Sequence, residues 1–149
     1  MKKQTWIDWF LSKPENQLFV RIDDDYIHNI YNFYGIKQKI SNFQASYELL
    51  LKNYVPPWHA STQLESQIFV LEQQTAHLYG LLHARYLNTS EGMERIYQKY
   101  VKKEFPYCPR ILCKKITCIP FGISNDMCEY PVKMFCPNCS DIYNIKNSI

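Results

Sequence analysis

At 149 residues, 46% hydrophobic and 15% aromatic, the chain has the size and composition of one packed domain with room for a small appended module, which excludes a disordered segment. Its formal charge of +3 comes from 17 basic and 14 acidic residues that are interspersed, so nucleic acid is an unlikely partner on overall charge. The glycines Gly35, Gly80, Gly92 and Gly122 stand alone, which excludes both the dinucleotide-binding turn and the phosphate-cradling loop.

The first segment, "MKKQTWIDWFLSKPENQ", has neither an apolar run of signal-peptide length nor a small-residue cleavage site, and no later stretch reaches membrane-span length. The expectation is a soluble protein of the cytoplasm, the nucleus or both. Trp6, Trp9 and Phe10 share one face of a short docked helix over 5–11. An alternating piece, "LFVRI" at 18–22, follows. Asp23 suits a helix cap and Asp24 and Asp25 the positive end of the helix dipole. The spacing then predicts one helix over about 24–34, with Tyr26, Ile27, Ile30, Tyr31 and Tyr34 inward and Gly35 closing it in a left-handed conformation.

A third helix is expected from a cap at Ser41 through Phe43, Tyr47, Leu50 and Leu51, ended by the prolines of "NYVPPWHAS" in a loop over about 53–60. Thr62 and Glu65 have capping-box spacing, and Leu64, Ile68, Leu71, Leu78 and Leu82 carry a long helix to about Leu87. Gly80 inside it costs about 1 kcal/mol against alanine, which predicts a close helix crossing there. A last helix over about 90–102 carries Met93, Ile96, Tyr97, Tyr100 and Val101.

From 104 the prolines at 106, 109, 120, 131 and 137 exclude long helices, and "ILC", "TCIPF" and "VKMF" read as short strands. The fold class is therefore α+β, mainly α. An N-terminal helical bundle over 1–103 precedes a small β module over 104–149.

All six cysteines lie in that module. Cys108, Cys113, Cys136 and Cys139 form the pattern C-x4-C-x22-C-x2-C. Two loops that each present a thiolate pair can converge on one tetrahedral ion, and 22 residues suffice for a hairpin between them. The pattern is that of a zinc ribbon with one structural Zn2+ per chain, in which the metal supplies much of the folding free energy. Four cysteines close the coordination sphere, so catalytic zinc is not expected. A zinc deaminase would also need H-x-E and a proline directly before its C-x-x-C, where this chain has Phe135. Cys118 and Cys128 lack partner spacing and read as buried small hydrophobes. His77 and His83 lie on different faces of the long helix and read as satisfied helix residues rather than ligands. The Asp23–Asp25 run is most simply a helix start, with an acidic recognition surface as the alternative.

With these residues placed, the chain resembles the regulatory (beta) subunits of casein kinase II. The likeness runs through "WIDWF" at 6–10, "DDDYIHNIYNFYGI" at 23–36, "LYGLLHARY" at 78–86, "FPYCPRILC" at 105–113 and "VKMFCPNCSDIY" at 132–143. It implies a non-enzymatic subunit that homodimerises through its zinc ribbon, assembles with the catalytic (alpha) subunit and alters its stability and substrate choice. Cys108, Cys113, Cys136 and Cys139 match the family's zinc positions one for one. Pro109, Ile111, Leu112, Ile119, Val132 and Met134 are the expected dimer interface, because a ribbon of this size cannot bury so many apolar side chains internally; the alternative for each is packing against the helical body. Family members continue past the ribbon into a tail that makes the main kinase contacts, whereas this sequence stops at Ile149, so weakened or lost docking to the catalytic subunit is expected. The family's acidic loop is replaced by "NYVPPWHAS", which has no acid, so polyamine sensing there is expected to be lost. The alternative reading is a zinc-ribbon interaction or transcription-type nucleic-acid-binding module that does not engage the kinase.

Overall fold

The computed structural model describes residues 3–56, 62–124, 126 and 129–145. The chain divides into two compact units, Met1–Met93 and Glu94–Ile149. The division falls within the last helix, upstream of the change in composition at 104.

In the first unit, α1 (Trp6–Ser12) opens with a reciprocal capping box. The Thr5 hydroxyl accepts from the Asp8 amide at 3.1 Å, and the Asp8 carboxylate accepts from the Thr5 amide at 3.1 Å. The helix buries Trp6, Ile7 and Phe10. Trp6 stacks on Phe10 with centroids 4.9 Å apart, and Phe10 packs on Tyr79 at 5.2 Å. The alternating piece at 18–22 joins no sheet. Its backbone groups are satisfied by side chains instead: the Val20 amide donates to His83 Nε2 (3.1 Å), the Tyr79 hydroxyl donates to the Val20 carbonyl (2.8 Å), and the Ile22 amide donates to the Tyr79 hydroxyl (3.2 Å).

The single helix expected over 24–34 is broken. Helix α2 covers only Asp24–His28, and a 3-10 turn follows at Ile30–Phe33. Asn29 between them is extended, and its side chain accepts from the Tyr31 amide, restarting the chain in a new phase. At three residues per turn the inward positions become Ile27, Phe33 and Ile36, while Tyr31 and Tyr34 are 84% and 85% exposed. Asp23 occupies the cap position of α2 but makes no side-chain capping bond. Gly35 takes the expected left-handed conformation, φ +74°.

Helix α3 (Phe43–Leu51) is preceded by Asn42, not Ser41, as its cap residue, with no side-chain cap bond. It packs along the 25-residue α4 (Thr62–Tyr86), which buries Leu78, Tyr79 and Leu82 at its C-terminal half and leaves Leu64 exposed. The Thr62 side chain and residues 57–60, half of the expected 53–60 loop, lie outside the described residues. Helix α5 spans Ser90–Val101. At Gly92 an added Cβ would lie 2.0 Å from the Tyr86 carbonyl oxygen. No helix among the described residues is long and apolar enough to cross a membrane.

In the second unit a three-stranded antiparallel sheet runs in the order β1 (Ile119–Phe121), β2 (Lys133–Phe135), β3 (Ile142–Asn144). Ile119, Phe135 and Ile142 align across it, as do Pro120, Met134 and Tyr143. The expected strand at "ILC" is a 3-10 turn, Ile111–Cys113, because the backbone there closes a cysteine knuckle instead of pairing in the sheet.

Candidate metal centre

The knuckle geometry follows from local chain conformation. In the first, the Cys113 amide donates to the Arg110 carbonyl (3.1 Å), and Lys114 and Lys115 turn through left-handed conformations at φ 51° and 59°. The Cys108 amide then reaches the Ile116 carbonyl at 2.8 Å, which sets the two thiols of this knuckle side by side. In the second, the Ser140 amide donates to the Cys136 carbonyl (2.9 Å), Ser140 turns at φ 58°, and the Cys136 amide donates to the Asp141 carbonyl (3.0 Å). An Arg110–Asp141 ion pair at 3.0 Å joins the two knuckles at the surface.

The result brings Cys108, Cys113, Cys136 and Cys139 together, with all four sulfurs within 4.8 Å of one another. Cys108 and Cys139 sulfurs are 3.9 Å apart, and those of Cys113 and Cys136 are 4.0 Å apart. Four sulfurs held at about 2.3 Å from one ion in a tetrahedron would be separated by about 3.8 Å. The observed spacing fits a shared ion, and it is nearly twice the roughly 2.05 Å of a disulfide. The cysteines are free.

Neighbouring polar groups fix the sulfurs. The Asn138 amide nitrogen donates to Cys113 Sγ at 3.2 Å, and the Tyr143 hydroxyl lies 3.2 Å from Cys139 Sγ. That Tyr143 contact, against the opposing effect of burial, holds the Cys139 thiol down to about 6. At Cys113 the Asn138 hydrogen bond pulls the same way, but burial and the three adjoining thiols outweigh it and push the group up to about 11. Four thiolates this close repel one another unless a cation joins them, so the donor set suits a soft divalent metal and offers no open position for substrate or water.

Cys118 is buried at 1% exposure, as expected for a small hydrophobe, and burial pushes its thiol up to about 12. Cys128 lies outside the described residues. His83 is buried against Val20, away from any metal cluster among the described residues. Of the expected interface residues, Ile111 and Leu112 project from the first knuckle at 92% and 90% exposure, Pro109 is exposed, and Val132 and Ile119 are 45% and 38% exposed. Met134 is different: it is only 2% exposed. Sequence reasoning missed Asn138 and Tyr143. Their positions, inside the second knuckle and four residues after Cys139, were the available signal.

A helical first unit followed by a small three-stranded module whose four clustered cysteines could hold one metal ion is the architecture of a zinc-ribbon-bearing helical protein. The sequence model of the casein kinase II regulatory subunit matches residues 5–149, and the chain belongs to that family, whose members are the regulatory and not the catalytic subunits of the kinase. It is 35% identical over 144 residues to a casein kinase II subunit beta of Schizosaccharomyces pombe, covering 97% of this chain and 60% of the relative. It is 36% identical over 143 residues to a subunit beta-2 of Neurospora crassa (96% and 48%) and 34% identical over 146 residues to a subunit beta' of Drosophila melanogaster (98% and 65%). The chain thus spans about half to two thirds of the length of these relatives.

Proposed function

We propose that this chain is a zinc-loaded regulatory subunit that pairs with a second copy through its first knuckle and modulates the stability and substrate choice of a casein kinase II catalytic subunit, in the cytoplasm, the nucleus or both. The observation that carries the reading is the exposure of Ile111 and Leu112, at 92% and 90%, on a knuckle whose base is pinned by the four-sulfur centre. A C-x4-C knuckle has two residues more than the C-x-x-C of the second, and the extra length displays this aliphatic pair. Covering two such side chains removes apolar area worth roughly 1.5–3 kcal/mol each. Zinc is the ion that four cysteinates at this spacing hold most naturally, and its role is structural: it makes a rigid platform from two loops that have little core of their own.

The test is to mix the zinc-loaded chain with a casein kinase II catalytic subunit at micromolar concentration and measure complex mass and kinase activity. A complex containing two copies of this chain, with altered activity toward a protein substrate, is expected. Failure to form any complex would remove the regulatory role while leaving the metal centre and self-association to be judged on their own.

A further inference from the structure

We propose that the C-terminal unit binds single-stranded nucleic acid, with Lys114, Lys115 and the exposed ring of Tyr107 as its central contact. The near-neutral balance of the whole chain conceals an asymmetry. Residues 94–149 carry nine Lys and Arg against five Asp and Glu, a formal +4, whereas residues 1–93 carry eight against nine. A loaded four-cysteinate centre contributes −2 at its buried position, so the inference rests on where the lysines stand rather than on the total.

They stand at the two ends of one short ladder. The Cys108 amide donates to the Ile116 carbonyl and the Cys118 amide to the Pro106 carbonyl, both at 2.8 Å, with Tyr107 bridged to Thr117 between them. Lys102 and Lys103 lead into the first strand of this ladder, and Lys114 and Lys115 lead into the returning strand. Among the described residues none of these four lysines makes an ion pair, while the acids Asp141, Glu129 and Glu94 are engaged by Arg110, Ser124 and Gln98. Tyr107, midway along the ladder, is 58% exposed, and the Lys115 ammonium lies 5.5 Å from its ring centre.

Three of the four lysines, Lys103, Lys114 and Lys115, sit at positive φ, where glycine or asparagine would avoid a cost of about 1 kcal/mol each. A cation kept at a position that disfavours its backbone points to a use for the charge. Lysines that meet successive phosphates, with an aromatic face on which a base can stack, are the parts of a single-strand binding surface with little sequence preference. The surface lies in one unit and does not depend on kinase regulation.

The experiment uses the zinc-loaded full chain and fluorescein-labelled 20-mers of oligothymidylate and oligouridylate, with anisotropy read at 50 and 200 mM salt. Four phosphate contacts predict a loss of roughly 50-fold in affinity across that range. Lys114→Asn combined with Lys115→Gly, which suits the left-handed backbone and removes both charges, should weaken binding about tenfold. Tyr107→Ala should do so by a similar factor, and Lys37→Glu with Lys39→Glu in the first unit should change nothing. Zinc content and mass are recorded for every variant, so loss of the fold or of self-association is seen separately. Absence of binding at 50 mM salt, equal loss from the Lys37 and Lys39 changes, or displacement of the oligonucleotide by an equal length of polyglutamate with Tyr107→Ala silent would overturn the proposal, the last in favour of an acidic polypeptide.

Discussion

Asn138, inside the second knuckle, donates its side-chain amide to the sulfur of Cys113 in the first, 3.2 Å away. A neutral donor placed on a ligand sulfur favours the thiolate and fixes its direction without adding charge. Replacing Asn138 with alanine should therefore leave all four ligands in place yet weaken metal affinity about 10- to 100-fold. Competition with a chromophoric chelator measures this, and an unchanged affinity would show that the contact is incidental.

Tyr79 and the strap at 18–22 give a second test. The hydroxyl both donates to the Val20 carbonyl and accepts from the Ile22 amide, so Tyr79→Phe leaves two buried backbone groups unpaired at nearly constant volume. The expected cost is about 1–3 kcal/mol, read as a shift in the denaturant midpoint of the first unit without a change in slope.

Gly92 and Gly35 should respond differently to alanine. At Gly92 the new methyl would meet the Tyr86 backbone at 2.0 Å, and a carbonyl cannot move aside as a flexible side chain would. At Gly35 the space is open and only the φ of +74° is unfavourable. Gly92→Ala should cost about 3 kcal/mol and Gly35→Ala about 1 kcal/mol, and thermal unfolding of the two variants side by side gives the order.

The capping box predicts a pH dependence. The hydrogen bond from the Thr5 hydroxyl, the Thr5 amide and the Arg21 guanidinium at 2.5 Å together outweigh burial and hold the Asp8 carboxyl below its ordinary 3.8. Because the folded value is the lower one, the stabilisation is complete above the ordinary carboxylate range and disappears as pH falls through the lowered value. Asp8→Asn should cost about 0.5–1 kcal/mol at pH 7, and the gap from the parent chain should close as the medium is acidified below 3.8.

The parts of the fold legible in the sequence are those where one local rule acts alone. Helices α1, α4 and α5 follow from apolar spacing and from prolines, and the four-sulfur cluster follows from cysteine spacing, because two loops with little else to bury converge on a common centre. The break at Asn29 was not legible, since an asparagine that bonds two residues ahead competes with a helix whose apolar spacing otherwise continues through Tyr34. Nor was the strap at 18–22, whose alternation reads as a strand although its hydrogen-bond partners come from the side chains of Tyr79 and His83 some sixty positions away. Met134 shows the same limit: its apolar character alone does not distinguish it from Ile119 and Val132, yet it is 2% exposed where they are 38% and 45%.

Metal content and mass of the purified chain, read together by native mass spectrometry before and after chelation, test the central account most directly. One zinc per chain in a species of twice the chain mass is predicted, with loss of both when Cys113 is replaced by serine. A metal-free chain, or sulfurs of Cys108, Cys113, Cys136 and Cys139 found joined as disulfides, would contradict it.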